Sequence, residues 1–278
     1  MTPDKSLLEA WRESAKFWSK HNDTIRTMFM PLTHALVEAA GIHEGQNVLD
    51  VAGGPGEPSL TIAGIVGPSG TVTHTDATPE MVETARREAE RRGITNMQFH
   101  ECKAESLPFP DNSFDVTVCR LGVMLFSDPP AGVREMLRVT KPGGRVAFAV
   151  WHKSELNPFC YCVSDIIERY IASPAFDPDA PGAFRFAEPG KLADVVRAAG
   201  ATDVEERVFK FDLAAPITPI EFWAMRSKMS DTLRDKLNKM PESEQAQVAG
   251  EVGQAVKEYF PGNQMSFPTQ MIIVSGRA

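Results

Sequence analysis

Apolar residues along the chain alternate between two rhythms. Short runs in which apolar or β-branched residues recur at close spacing fall at residues 47–52, 71–76, 96–102, 113–120 and 145–151. Between them apolar positions recur at helical spacing, as with Val133, Met136, Leu137 and Val139 inside 129–140. The runs predict strands, and the last, apolar almost throughout, reads as a strand buried on both faces. The breaks agree with this. Gly67-Pro68-Ser69-Gly70 turns the chain before the second strand, and Lys141-Pro142-Gly143-Gly144 closes a helix before the fifth. Thr78 and Pro79 read as the N-cap and first residue of a helix that Gly93 stops. Further strands are expected at 204–213 and 270–274, with a helix over 190–199 before them and helices over 219–259 between them. Strands alternating with helices predict an α/β fold, a mostly parallel sheet covered on both faces.

The first strand runs into Gly53-Gly54-Pro55-Gly56 and then into a helix. Glycines let the backbone bend sharply and let a ligand approach where a Cβ would intrude. The next helix presents unpaired N–H groups. A nucleotide-cofactor site is built this way, and so is a plain tight turn. Dinucleotide sites space their glycines as G-x-G-x-x-G, whereas here they fall at 53, 54 and 56. Asp50 ends the strand, where a carboxylate repels a pyrophosphate but orders the loop and attracts a cation. S-adenosylmethionine (SAM), with a sulfonium, an ammonium and no phosphate, suits that charge better than NAD. Asp76 ends the second strand, where the ribose hydroxyls of an adenosine would lie; the alternative is an ordinary turn aspartate. Asp50, Asp76, Ala104 and Arg120 all fall at carboxyl ends of strands, where open α/β sheets bind ligands.

Four motifs stand in order: Val48-Leu49-Asp50-Val51-Ala52-Gly53-Gly54-Pro55-Gly56; Asp76; Ala104-Glu105-Ser106-Leu107-Pro108-Phe109-Pro110-Asp111-Asn112-Ser113-Phe114-Asp115; and Arg138-Val139-Thr140-Lys141-Pro142-Gly143-Gly144-Arg145. In these the chain resembles the class I SAM-dependent methyltransferases, of the type 11 group that includes the ubiquinone/menaquinone C-methyltransferases. The resemblance covers roughly residues 45–152. It implies a Rossmann-like, seven-stranded sheet whose last strand is antiparallel, with a helical lid. It also implies roles. Ala52, Gly53 and Gly54 would cradle the methionine end of SAM, with Asp50 and Gly56 shaping the loop. Asp76 and Ala77 would meet the ribose, Met81 the adenine or ribose, Ala104 and Glu105 the adenine edge, and Arg120 the methionine moiety. Two residues depart from the family pattern. Lys103 replaces a common Asp or Asn and has no acceptor for the adenine amino group. Pro55 replaces a common Thr, which removes a hydroxyl and an N–H.

Composition narrows the partners. The 278 residues carry a formal net charge of −8. Nucleic-acid binding needs clustered Lys/Arg, and no basic tract interleaved with aromatics occurs. Arg86, Arg87, Arg91 and Arg92 alternate with Glu83, Glu88 and Glu90, as a solvated helix face does. No run of about 18 apolar residues is present for a membrane span, and no secretory leader is visible, so a cytoplasmic protein is expected. Cys102, Cys119, Cys160 and Cys162 form no disulfide framework and no zinc pattern, and no metal is expected.

The expected organisation is an N-terminal helical lid (1–45), a SAM-binding core (46–153), a substrate-cap insertion (154–190) and a C-terminal part of the sheet with inserted helices (191–278). Phe17 and Trp18 in the lid, Phe159 and Tyr161 in the cap, and Trp223 read either as packing or as an acceptor pocket. Trp11 reads as packing. The aromatic content points to a small, partly apolar acceptor, quinone-like, phenolic, polyketide or terpenoid, and a homodimer is compatible. Methyl transfer needs alignment and exclusion of water, and a protic acceptor also needs a base. His152, after the fifth strand, is the first candidate base and His21 the second; His34, His43, His74 and His100 read as structural. A non-catalytic SAM-binding protein and an NAD-type oxidoreductase are the alternatives.

Overall fold

The computed structural model describes residues 3–172 and 177–278. Part of the expected cap, 173–176, lies outside the described residues. Helices α1 (Pro3–Lys20) and α2 (Asn22–Ala40) precede the sheet. Strands β1 (Asn47–Val51), β2 (Thr71–Asp76), β3 (Met97–Glu101), β4 (Phe114–Arg120) and β5 (Thr140–Trp151) then alternate with α3 (Ser59–Val66), α4 (Pro79–Arg91) and α5 (Pro129–Val139). After α6 (Pro158–Glu168) and α7 (Lys191–Ala198) comes β6 (Thr202–Ala215). Helices α8 (Pro219–Met229), α9 (Asp231–Asn238) and α10 (Glu242–Ala255) follow, then β7 (Met265–Arg277).

The seven strands form one sheet in the order β3-β2-β1-β4-β5-β7-β6. All pairs are parallel except those of β7, which runs antiparallel between β5 and β6. The order reverses direction at β1 and β4, so the crevice of a doubly wound sheet opens at the carboxyl ends of those strands. β1, β4 and β5 are buried along most of their length, as strands covered on both faces must be.

One local expectation is corrected. Lys141-Pro142-Gly143-Gly144 does not separate α5 from β5. The strand begins at Thr140, which pairs with Phe114, and the register shifts before Val116 pairs with Arg145. Thr78 stands at the N-cap of α4, but its side chain makes no cap bond; its N–H donates to Asp76 Oδ1 at 2.8 Å. In the expected lid, Met28, Phe29, Leu32 and Leu36 of α2 are buried, and that helix packs on β4, β5, β6 and β7 as part of the covering layer. α1 packs on α4, α8 and α2. No helix among the described residues is long and apolar enough to cross a membrane.

Candidate functional site

At the carboxyl end of β1 the chain must reverse within a few residues. Ala52 takes φ 57°, a left-handed conformation that costs a side-chain-bearing residue about 1 kcal/mol. Its Cβ lies where Gly122 leaves room; a Cβ on Gly122 would stand 2.6 Å from it. Gly53 is demanded by close approach. A Cβ there would lie 2.5 Å from the His74 ring and 2.7 Å from Asp50 Oδ2. The loop is stapled to β2, with Gly53 N–H donating to the Thr75 carbonyl at 2.9 Å and Gly54 N–H to Asp76 Oδ2 at 3.0 Å.

Beneath the loop lies a buried polar chain. Asp50 and His74 are ladder partners on β1 and β2. Asp50 Oδ2 accepts from the Ser59 N–H at 3.1 Å and from the Ser59 hydroxyl at 2.5 Å. Ser59 Oγ lies 3.0 Å from His74 Nδ1. With the hydroxyl hydrogen on Asp50, Nδ1–H is the donor to Oγ. Burial pushes Asp50 up to about 7, against the Ser59 bonds and the positive Arg120, and pushes His74 down to about 3, so the ring is neutral. Asp50 Oδ1 and His74 Nε2 are buried without a partner. Sequence reasoning passed over Ser59 and took His74 as structural. The signal was the pairing register of β1 with β2, which puts 50 beside 74.

Asp76 accepts from two loop N–H groups, Gly54 on Oδ2 and Thr78 on Oδ1. Burial raises its pKa, and those backbone bonds oppose the rise. Each carboxylate oxygen has a second lone pair for a ligand hydroxyl. Ala77 joins Asp76 to this cap. Met81 and Ala104 are buried beside it, on the first turn of α4 and after β3. Glu105 accepts the Asp128 N–H at 3.2 Å, tying the loop after β3 to the start of α5. Arg120 ends β4 and bridges the site's two walls. Its Nη1 donates to Thr33 Oγ1 of α2 at 2.7 Å and its Nη2 to the Glu57 carbonyl at 3.0 Å, and its Nε lacks a partner. The Glu57 carboxylate is held by Thr61 at 2.7 Å and by Arg92 at 3.3 Å. Arg92 therefore serves the loop rather than the solvated helix face expected of it.

The other expected site residues lie apart from this loop. His152 follows β5 and is 7% exposed; its Nδ1 is 2.9 Å from the Ala187 carbonyl and 2.8 Å from the Lys153 N–H. His21 stands at the joint of α1 and α2, with Phe17 4.6 Å away. Burial, then Lys20 and Lys228, lower its pKa. Trp18 packs on Phe17 and Trp11, and its Nε1 is buried unpaired. Phe159 is a core residue, 2% exposed, among Trp151, Phe222 and Phe267. The Tyr161 hydroxyl lies 3.4 Å from that of Tyr259. Trp223 is half-buried on α8. A cleft of about 520 Å³, lined by Glu38, Gly41, Arg145, Arg207 and Ser275, lies toward the amino end of β5, away from all of these. The four cysteines are free thiols.

The donor set selects a ligand. Three carboxyl groups, Asp50, Glu57 and Asp76, stand at the loop with two arginines, Arg120 and Arg92, both of them engaged by Glu57, an arrangement that offers a diphosphate no free cation. The unpaired buried Oδ1 of Asp50 suits an ammonium, and Asp76 suits vicinal hydroxyls.

The model of the ubiE/COQ5 methyltransferase family matches residues 20–166. The chain is 38% identical over 151 residues to a ubiquinone/menaquinone biosynthesis C-methyltransferase of Pseudomonas putida, a match spanning 54% of this chain and 59% of that one. It is 36% identical over 123 residues to the enzyme of that name from Pasteurella multocida, covering 44% and 46%. The chain thus spans about half the length of the curated relatives it matches. Among solved structures, the YcgJ protein of Bacillus subtilis superposes with a TM-score of 0.56 at 24% identity, over 88% of this chain and 97% of that one. That likeness is one of fold.

Proposed function

Because the chain belongs to the ubiE/COQ5 methyltransferase family, we propose that it binds S-adenosylmethionine at the β1 loop and methylates a small, partly apolar acceptor. One observation carries the reading. Two carboxylates at adjacent strand ends, Asp50 buried and Asp76 half-buried, are held by backbone N–H groups, and Asp50 keeps an oxygen unpaired. When bound, SAM supplies a methyl group on a sulfonium, open to in-line displacement. Asp76 accepts the ribose hydroxyls through its remaining lone pairs. Asp50 Oδ1 accepts from the ammonium, and Ala52 to Gly54 allow close backbone approach. Met81 and Ala104 give the adenine an apolar bed. Arg120 fixes α2 against the loop and keeps that wall closed to water.

We place the acceptor over the carboxyl ends of β4 and β5, under α1 with its half-buried Phe17 and Trp18, while Phe29 and Trp151 pack beneath as core. This supports a flat apolar acceptor over a sugar. His152 and His21 are the bases within this reading. His152 offers Nε2 only in the tautomer whose Nδ1–H donates to Ala187 and which forgoes the Lys153 N–H bond, and burial with Lys20 and Lys228 lowers the pKa of His21 at the α1–α2 joint. Calorimetric titration with SAM, S-adenosylhomocysteine and NAD⁺ tests the cofactor. Binding of the first two alone is expected, and binding of NAD⁺ alone would overturn it.

A further inference from the structure

Arg145, near the start of β5, runs its stem beneath the end of α2. A Cβ on Gly41, the C-cap of that helix, would lie 3.4 Å from Arg145 Cδ. The Arg145 Nε is buried without a partner, and among the described residues no group accepts from the rest of its guanidinium. A buried donor left unmade costs about 1–3 kcal/mol. The neighbouring arginines are engaged. Arg207 donates to the Ala35 carbonyl at 3.0 Å and meets Glu38 at 3.3 Å. Arg277 donates to the Gly143 carbonyl at 3.0 Å and meets Asp203 at 3.3 Å.

Arg145 faces open space. It lines the cleft of about 520 Å³ at the amino end of β5, and a second cleft of about 300 Å³ shares Arg145 and Glu205 with the first. The pairing register decides what stands with it. β7 sets Arg277 opposite Arg145 and Ser275 opposite Glu205, and residues two apart on a strand share a face. Arg145, Ser275 and Glu205 therefore stand on one face of the sheet, on three neighbouring strands. The backbones of Arg145 and Glu205 are roughly 10–12 Å apart, with Ser275 between them. Ser275 is 4% exposed, yet its hydroxyl has no partner among the described residues, and the exposed Glu205 has none either. The rest of the rim is negative. Glu38 lines it, and α2 ends there through Ala39 and Gly41, with the carbonyl end that favours a cation. A free dianion is disfavoured in such a cleft. A ligand with one charge of each sign is favoured, because one free cation and one free carboxylate await it.

We propose that this cleft binds a small zwitterion of the α-amino-acid type, at a site separate from the cofactor loop and at the opposite end of the sheet. Arg145 and the Ser275 hydroxyl donate to its carboxylate. Glu205 accepts from its ammonium, and its side chain lies against Ala39 and Ile273.

The test is calorimetric titration of the full chain with L-leucine, L-methionine and L-phenylalanine, each beside its N-acetyl derivative and its amide, with and without excess S-adenosylhomocysteine. At least one amino acid is expected to bind in the millimolar range or tighter, equally in both conditions. Acetylation removes the ammonium and amidation the carboxylate. Each should weaken binding about tenfold or more, the scale of a charge-assisted hydrogen bond. Arg145→Met keeps an apolar stem beneath Gly41 and should remove the preference over the amide. Glu205→Gln should remove the preference over the N-acetyl derivative. Both variants should keep S-adenosylhomocysteine affinity and Tm. The proposal is overturned if no amino acid binds, if inorganic phosphate binds as tightly, or if either preference survives its variant. It is also overturned if excess S-adenosylhomocysteine displaces the amino acid, which would put it in the cofactor loop, or if Arg145→Met loses S-adenosylhomocysteine affinity. Failure of the wild type to bind S-adenosylhomocysteine bears on the methyltransferase reading alone.

Discussion

Asp50 and Asp76 stand at neighbouring strand ends but answer to different tests. Asp76→Ala removes the acceptor of the ribose hydroxyls and of two loop N–H groups. We expect S-adenosylhomocysteine affinity to fall by about a hundredfold, near 3 kcal/mol for lost charged hydrogen bonds, as read by calorimetry. Asp50 is distinguished by proton linkage. Its folded pKa is about 7 against an ordinary 3.8. The native state therefore holds an extra proton between those values, and Asp50's contribution to stability declines as pH rises from about 4 to 7. A bound ammonium favours the carboxylate, so affinity should rise as pH rises through about 7. Binding near pH 6.5 should release a proton, making the calorimetric heat depend on the buffer's ionisation enthalpy. Asp50→Asn should abolish that dependence, and its persistence would show another group to be responsible. Ser59→Ala leaves Asp50 Oδ2 and His74 Nδ1 short of partners. A loss of about 1–3 kcal/mol in urea unfolding is expected.

The elements were legible in proportion to how local their causes are. β1 announces itself by an apolar run and β2 by a β-branched one, each closing on an acid ahead of a glycine turn or Ala-Thr-Pro, so Asp50 and Asp76 could be placed at the carboxyl ends of neighbouring strands from the sequence. α8 begins where a local rule says it should. Thr218 and Glu221 form a reciprocal capping box. Thr218→Ala should cost about 1 kcal/mol, visible as a lower Tm with cofactor binding intact. The seat of α2 on the sheet was hidden because Met28, Leu32 and Leu36 reveal that a face is apolar but not what covers it. The early start of β5 was hidden because Gly143 and Gly144 look like a helix stop; only pairing of Thr140 with Phe114 makes them strand. The Asp50–Ser59–His74 chain was illegible for the same reason, since its contacts depend on register between strands.

At the scale of the whole molecule, α1 and α2 part company. α2 is buried on the sheet, while α1 bridges α4 and α8, with Arg12 3.6 Å from Glu80. Removing residues 1–20 should therefore leave a cooperatively folding protein that releases S-adenosylhomocysteine faster, as stopped-flow displacement would show; loss of cooperative unfolding would contradict the division. Met225-Arg226 on a helix looks like any surface charge beside a packing residue, and the burial of Arg226 arises only once α6 and α8 meet. The antiparallel seating of β7 between β5 and β6 has a consequence for biosynthesis. Both flanking strands are translated before the strand that joins them. While β7 is still within the ribosome, β6 has no sheet neighbour and β5 presents an open edge, so this half of the sheet assembles only late in synthesis. The nascent chain is in most need of chaperone protection after β6 has emerged and before β7 has left the ribosome.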